Sequence, residues 1–184
     1  MVTNLARQAM TTNGQKACRI VDHLVDALAD DASSSLRRAM ILTDIDQYPG
    51  TTQTGIMERL QLHKSAVNRE VEWLFNYGCV MVQECSKDAR SKKLEICGYS
   101  KSALYEALAY FGGHHEGLKS FLQGYNRFLK QEKPTLREAK IYAVICDTKG
   151  ADKQKVIKNL YDGSTSTKNR VINKLIDDGV LNDG

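Results

Sequence analysis

Two stretches of the chain place serine, asparagine and arginine at the same spacing: Ser65, Asn68 and Arg69, and again Ser166, Asn169 and Arg170. In the first turns of a helix these residue types suit the reading of duplex DNA. Arginine donates two bonds to guanine, asparagine pairs bidentately with adenine, and serine or the helix N-terminus holds a phosphate. His63 and Lys64 precede the first triad, Lys168 lies within the second, and all three extend the candidate DNA-contacting set. A second reading stays open for the later copy: shared ancestry, with the polar residues retained but unused.

A basic stretch lies between the two triads. Lys87, Arg90, Lys92 and Lys93 crowd a polar run, with Asp88 two residues before the arginine. Other candidate chemistry is thinner. His114-His115-Glu116 puts adjacent histidines on different faces of a helix without a third ligand, so a surface or interface role is expected rather than a metal site. The five cysteines (Cys18, Cys79, Cys85, Cys97 and Cys146) show no CxxC spacing and read as free thiols. A redox switch at Cys85 is the minor alternative. No GxSxG, HExxH, P-loop or dinucleotide fingerprint is present, so no enzyme activity, metal or cofactor is expected.

The elements that position these residues follow from periodicity. Residues 15–29 carry Ile20, Val21, Leu24, Val25 and Leu28 on one stripe, as an amphipathic helix does. Further helices are expected from the serines at 33–35 to about Gln47, over 52–60, and over 64–76 with Gly78 as a left-handed cap. Two β-prone runs, 79–83 and 94–97, flank the basic tip as a hairpin. Helices over 100–111 and 116–130 follow, separated by Gly112-Gly113. Trp73, Phe75 and Tyr77 read as core packing. Tyr105, Tyr110, Phe111, Phe121, Tyr125 and Phe128 read as the core of a dimer, with a small effector pocket as the other option.

The spacing of the triads is part of a longer repeat. Leu36, Arg37, Ala39, Ile41, Ile45, Gly50 and Leu60 recur 100 positions on, as Leu136, Arg137, Ala139, Ile141, Ile145, Gly150 and Leu160. After one inserted residue the offset is 101, giving S-x-x-N-R-x-[VI]-x-x-L-x-x-x-G in both copies. Packing explains the apolar matches and helix termination explains the glycines, but neither explains Ser, Asn and Arg. Thr135-Leu136-Arg137-Glu138 reads as a capping box just after Pro134.

Three helices and then a hairpin is the order of a winged helix-turn-helix. At this level the stretch from about Leu36 to Ser100 resembles the MarR family of bacterial transcription regulators. The resemblance is carried by residues 56–69, by Val71, Leu74 and Gly78, and by Asp88-Ala89-Arg90-Ser91-Lys92-Lys93-Leu94. It implies a recognition helix bearing Ser65, Asn68 and Arg69. It also implies a wing whose Arg90 enters the minor groove, where negative potential concentrates, while Asp88 orients it. It further implies dimerisation through the terminal helices. The unit after Pro134 and the presence of Cys97 and Ser100 after the wing depart from the family pattern.

The expected fold is therefore mainly α with a small β-hairpin wing: a winged helix-turn-helix plus a second related helix-turn-helix. Residues 1–33 supply an N-terminal, dimerising helix, 34–99 the winged DNA-binding domain, 100–133 a helical connector, and 134–184 a second unit without a full wing. The 184 residues suffice for one or two domains. No apolar run reaches the roughly 18 residues of a membrane span and residues 1–17 lack an apolar signal region, so a cytoplasmic, nucleoid-associated protein is expected. The net charge of +4 permits an acidic partner without demanding one. The expected function is sequence-specific double-stranded DNA binding as a transcriptional regulator, as a homodimer with an unidentified effector at most. The alternatives are a tandem winged-helix replication initiator or segregation adaptor, and a protein-docking module.

Overall fold

A computed structural model describes residues 13–84, 92–129, 132–147, 156–158 and 164–178. The described part is mostly helical, with one antiparallel hairpin. Its helices are α1 (Asn13–Ala27), α2 (Leu36–Gln47), α3 (Gln53–Leu60), α4 (Lys64–Asn76), α5 (Gly98–Ala109), α6 (His115–Phe128), α7 (Leu136–Asp147) and α8 (Thr165–Asp177). Strands β1 (Val80–Glu84) and β2 (Lys92–Ile96) lie between α4 and α5.

Local chemistry sets the element ends. Ser35 caps α2 by accepting the Arg38 amide at 3.1 Å, and Thr52 caps α3 by accepting the Gly55 amide at 3.2 Å. The capping box expected at α7 forms in both directions: the Glu138 amide donates to Thr135 Oγ1 at 3.2 Å and the Thr135 amide donates to Glu138 Oε2 at 2.8 Å. α1 stops at Ala27, two residues before the sequence expectation, because Ala29 and Asp30 turn into left-handed conformations. Gly78 takes φ +70° after α4, as its position required, where a Cβ would cost backbone strain.

α2, α3 and α4 with the hairpin form a winged helix-turn-helix. Val80 pairs with Ile96 and Glu84 with Lys92 across the hairpin. The segment between α2 and α3 joins its edge, since the Gly50 amide donates to the Leu94 carbonyl at 3.0 Å and the Leu94 amide returns to Thr51 at 2.8 Å. Lys92 and Lys93 stand in β2 itself, not in the tip where the sequence placed them, because pairing continues two residues beyond the apolar run.

α1 packs against both α5 and α7. Its stripe of Ile20, Val21, Leu24 and Leu28 is buried within the chain, so the apolar face expected to serve a dimer is already used. Pro134 is likewise bonded into the fold, its carbonyl accepting the Leu36 amide at 2.9 Å. One apolar cluster runs from Ile20 through Leu36, Leu74, Leu104 and Leu122 to Leu136, Ile172 and Leu175. Burial of that continuous surface is the main stabilising contribution.

Candidate nucleic-acid interface

The turn between α3 and α4 is short. Gln61 ends α3 in a left-handed conformation and His63 starts α4 without a side-chain cap. The first amides of α4 are therefore open to an anion. Val67, Glu70, Val71 and Leu74 face inward. His63, Lys64, Ser65, Asn68 and Arg69 are all exposed, so the helix presents the first triad to solvent along its N-terminal half. Lys92 and Lys93 are exposed on β2. Lys87, Asp88 and Arg90 lie outside the described residues.

Sequence reasoning missed what holds this helix from below. Glu70, on the buried stripe, takes Nε and Nη2 of Arg38 on Oε2, both at 3.1 Å, and Nη2 of Arg69 on Oε1 at 3.4 Å. The Arg38 guanidinium also donates to Ser34 Oγ at 2.9 Å and lies 3.7 Å from the Trp73 ring centroid. Its second carboxylate is Asp31, at 3.6 Å. Burial raises the Asp31 pKa, but hydrogen bonds from Ser33 and Ser34 and the Arg38 charge outweigh it and leave the group below its ordinary value. The signal was an acidic residue at i+3 from Val67, on a face otherwise apolar.

A second buried ion cluster fixes α3 and α6 to α2. Asp44, fully buried, receives Arg59 Nη2 at 2.7 Å and Lys119 Nζ at 3.0 Å, and Arg59 also donates to Thr51 at 2.6 Å. Next to it His115 Nε2 lies 2.8 Å from Asp46 Oδ2. His115, for which the sequence suggested a surface or interface role, is thus a partner of α2.

In the second unit α8 begins with Ser164, whose hydroxyl accepts the Thr167 amide at 3.3 Å and lies 3.0 Å from Ser166 Oγ. Ser166 and Arg170 are exposed and Asn169 is half-buried. Lys168 is a correction. It is 8% exposed and its Nζ reaches the Ile157 carbonyl at 3.5 Å, so it is packed into the fold. The repeat itself held the reason, since the 101 offset sets Lys168 opposite the core residue Val67. Between α7 and α8 the described residues are 156–158 alone, which are helical.

No protein-family model matches the chain, and no curated protein matches it. The crystal structure of the transcriptional regulator SlyA is similar over 68% of this chain and 90% of its own, at 19% identity and a TM-score of 0.39. A likeness that loose transfers neither action nor residue roles.

The aromatic expectations divide. Phe75 and Tyr77 are exposed, with Tyr77 stacked on the half-buried Trp73 at 4.1 Å, so only the tryptophan packs as expected. Tyr105, Tyr110 and Phe128 are also exposed. Phe121, Tyr125, Phe128 and Tyr142 line an open groove of about 260 Å³ between α6 and α7, below the roughly 300–1,000 Å³ usual for small-molecule sites. Burial pushes the Cys79 and Cys97 thiols up from their ordinary values, which disfavours the reactive thiolate at both.

Proposed function

We propose that the chain is a sequence-reading double-stranded DNA-binding protein that acts as a transcriptional regulator. The observation that carries this reading is the exposure of Ser65, Asn68 and Arg69 on the first two turns of α4, above a helix whose opposite face is locked to α2. In that position Arg69 and Asn68 read base edges in the major groove, while Lys64 and the open amides at the start of α4 hold phosphate. Lys92 and Lys93 on β2 meet the backbone beside it, and the resemblance to the MarR family assigns Arg90 to the minor groove with Asp88 orienting it. Residues 34–99 are the principal reading unit and 134–184 a second copy of its helical part.

Fluorescence-anisotropy titration against duplexes from the genomic neighbourhood, at two salt concentrations, tests this. Arg69→Ala is expected to lose about 1–3 kcal/mol of discrimination at one base position. Equal weakening on every sequence removes Arg69 as a base reader, and binding of no duplex above the nonspecific level ends the DNA reading. Exposed Phe75 and Tyr77 favour a protein-docking module in that event.

A further inference from the structure

We propose that a single chain is built as a two-fold pseudo-dimer, and that its target is a pair of unlike half-sites in inverted orientation, both read by one chain. This rests on the reading of α4 and α8 as DNA-reading helices. The observation behind it is the junction between the two units. The Leu36 amide donates to the Pro134 carbonyl at 2.9 Å, and the Leu136 amide donates to the Ser34 carbonyl at 2.9 Å. Adding 100 to the donor's number and subtracting 100 from the acceptor's turns the first bond into the second. Ser35 and Thr135, which are equivalent in the repeat, form the antiparallel bridge between them.

A contact in which residue i meets j′ while j meets i′ is isologous, and isologous contacts are made by a two-fold axis. Units stacked head to tail pair non-equivalent residues instead. The axis here passes between Ser35 and Thr135, and it is set in the core, because Ser34, Leu36 and Leu136 are fully buried. α1 braces the arrangement by packing on α7, with Lys140 Nζ 2.6 Å from Asp22.

The same operation reaches the reading helices. α2 and α7 have matching bounds at an offset of 100, and α4 and α8 have matching bounds at 101. Each reading helix is tied to its own first helix: α4 through Arg38 and Glu70, α8 through Glu138 and Lys174 at 3.4 Å. The two-fold that relates α2 to α7 therefore relates α4 to α8. Helices related in this way read inverted half-sites, as the two subunits of a helix-turn-helix dimer do. The half-sites are unlike because the triads are shared but their neighbours are not: Lys64 stands where the second unit has Thr165, and Glu72 where it has Asn173.

The test is selection of duplexes from a randomised 30-base-pair pool by the full-length protein, with sequencing of the bound fraction and mass photometry of the complex. The expected result is a motif with two inverted arms of different sequence, bound by one chain. Arg69→Ala is expected to erase the information in one arm and Arg170→Ala that in the other, with circular dichroism of both variants unchanged. A one-armed motif, a direct repeat, or a symmetric palindrome bound by two chains overturns the proposal while leaving the DNA reading intact. If no sequence is enriched, the DNA reading fails and the pseudo-dimer target falls with it.

Discussion

Arg38 and Glu138 occupy the same point of α2 and α7, and each reaches the same point of its own unit's reading helix, α4 or α8, with opposite chemistry. Arg38 stacks on Trp73, 3.7 Å from the ring centroid, while Glu138 accepts Lys174 Nζ at 3.4 Å. Trp73 and Lys174 are themselves equivalent at the 101 offset. One geometry is thus held by a desolvated cation–π contact in one unit and by a half-exposed ion pair in the other. The first is the stronger device, since surface pairs contribute about 0–1 kcal/mol and buried cation–π contacts about 2.

Replacing Arg38 tests that asymmetry. Arg38→Met leaves Glu70 with Arg69 alone, and loss of one partner of a buried pair costs about 3–5 kcal/mol. The urea midpoint of the full chain is expected to fall accordingly. Lys174→Met, by contrast, is expected to cost under about 1 kcal/mol, because its side chain is more than half exposed. Equal losses from the two variants contradict this assignment. Arg38→Met with Glu70→Leu is expected to recover most of the stability, since no charge is then left buried.

Much of the helical fold was legible because its signals are local. The apolar stripe of α1 repeats within a single helix, and the serines before α2, Gly78 and the capping box at Thr135 each act within one turn of chain. The register of β2 was less legible, because Lys92 and Lys93 look like loop residues until Glu84 and Gln83 are seen opposite them. The burial of Lys168 was readable from its equivalence to Val67 in the repeat, whereas His115 could not be matched to its partner, because Asp46 lies 69 residues away. The Leu36–Pro134 junction was invisible for the same reason, although the repeat named its residues.

The acid response follows from two aspartates of opposite sign. The Asp31 pKa is depressed in the folded chain, so it stabilises the fold above the ordinary carboxylate pKa, and this contribution fades as pH falls through the folded value. Asp31→Asn is expected to be less stable than wild type at pH 7, with the gap narrowing as pH falls through and below the ordinary carboxylate range. Burial and then the Asp30 charge raise the Asp26 pKa, so its charge opposes folding at neutral pH and the penalty is relieved on protonation. Asp26→Asn is expected to raise the melting temperature at pH 7 and to lose that advantage in acid. Thermal melts at pH 7 and pH 3 check both signs.

Exposure separates the lysines. If Lys92 and Lys93 meet phosphates, Lys92→Ala and Lys93→Ala are each expected to reduce the slope of log affinity against log salt by about 0.9. Lys168→Met is expected to leave that slope unchanged, because its amine faces the Ile157 carbonyl. A slope change with Lys168→Met and none with Lys92→Ala reverses the assignment of the basic surface.

Asp44 is the most demanding position in the helical core. Its carboxylate is fully buried and is shared by Arg59 from α3 and Lys119 from α6, so one group fixes two helices on α2. Asp44→Asn keeps the volume but leaves Lys119, 8% exposed in its side chain, facing a neutral amide. Glu116 lies 3.5 Å from the same amine but is itself 72% exposed and screened, so it compensates weakly. The expected loss is about 3 kcal/mol, as for other buried pairs broken on one side. Asp44→Asn with Lys119→Met is expected to be more stable than Asp44→Asn alone, because the stranded cation is gone. Arg59 then still holds Thr51 and the face of Tyr48, which keeps α3 in place. Urea unfolding of the two variants decides the point: a double variant no more stable than the single one places the cost in lost hydrogen bonds to Arg59 and not in the unpaired lysine.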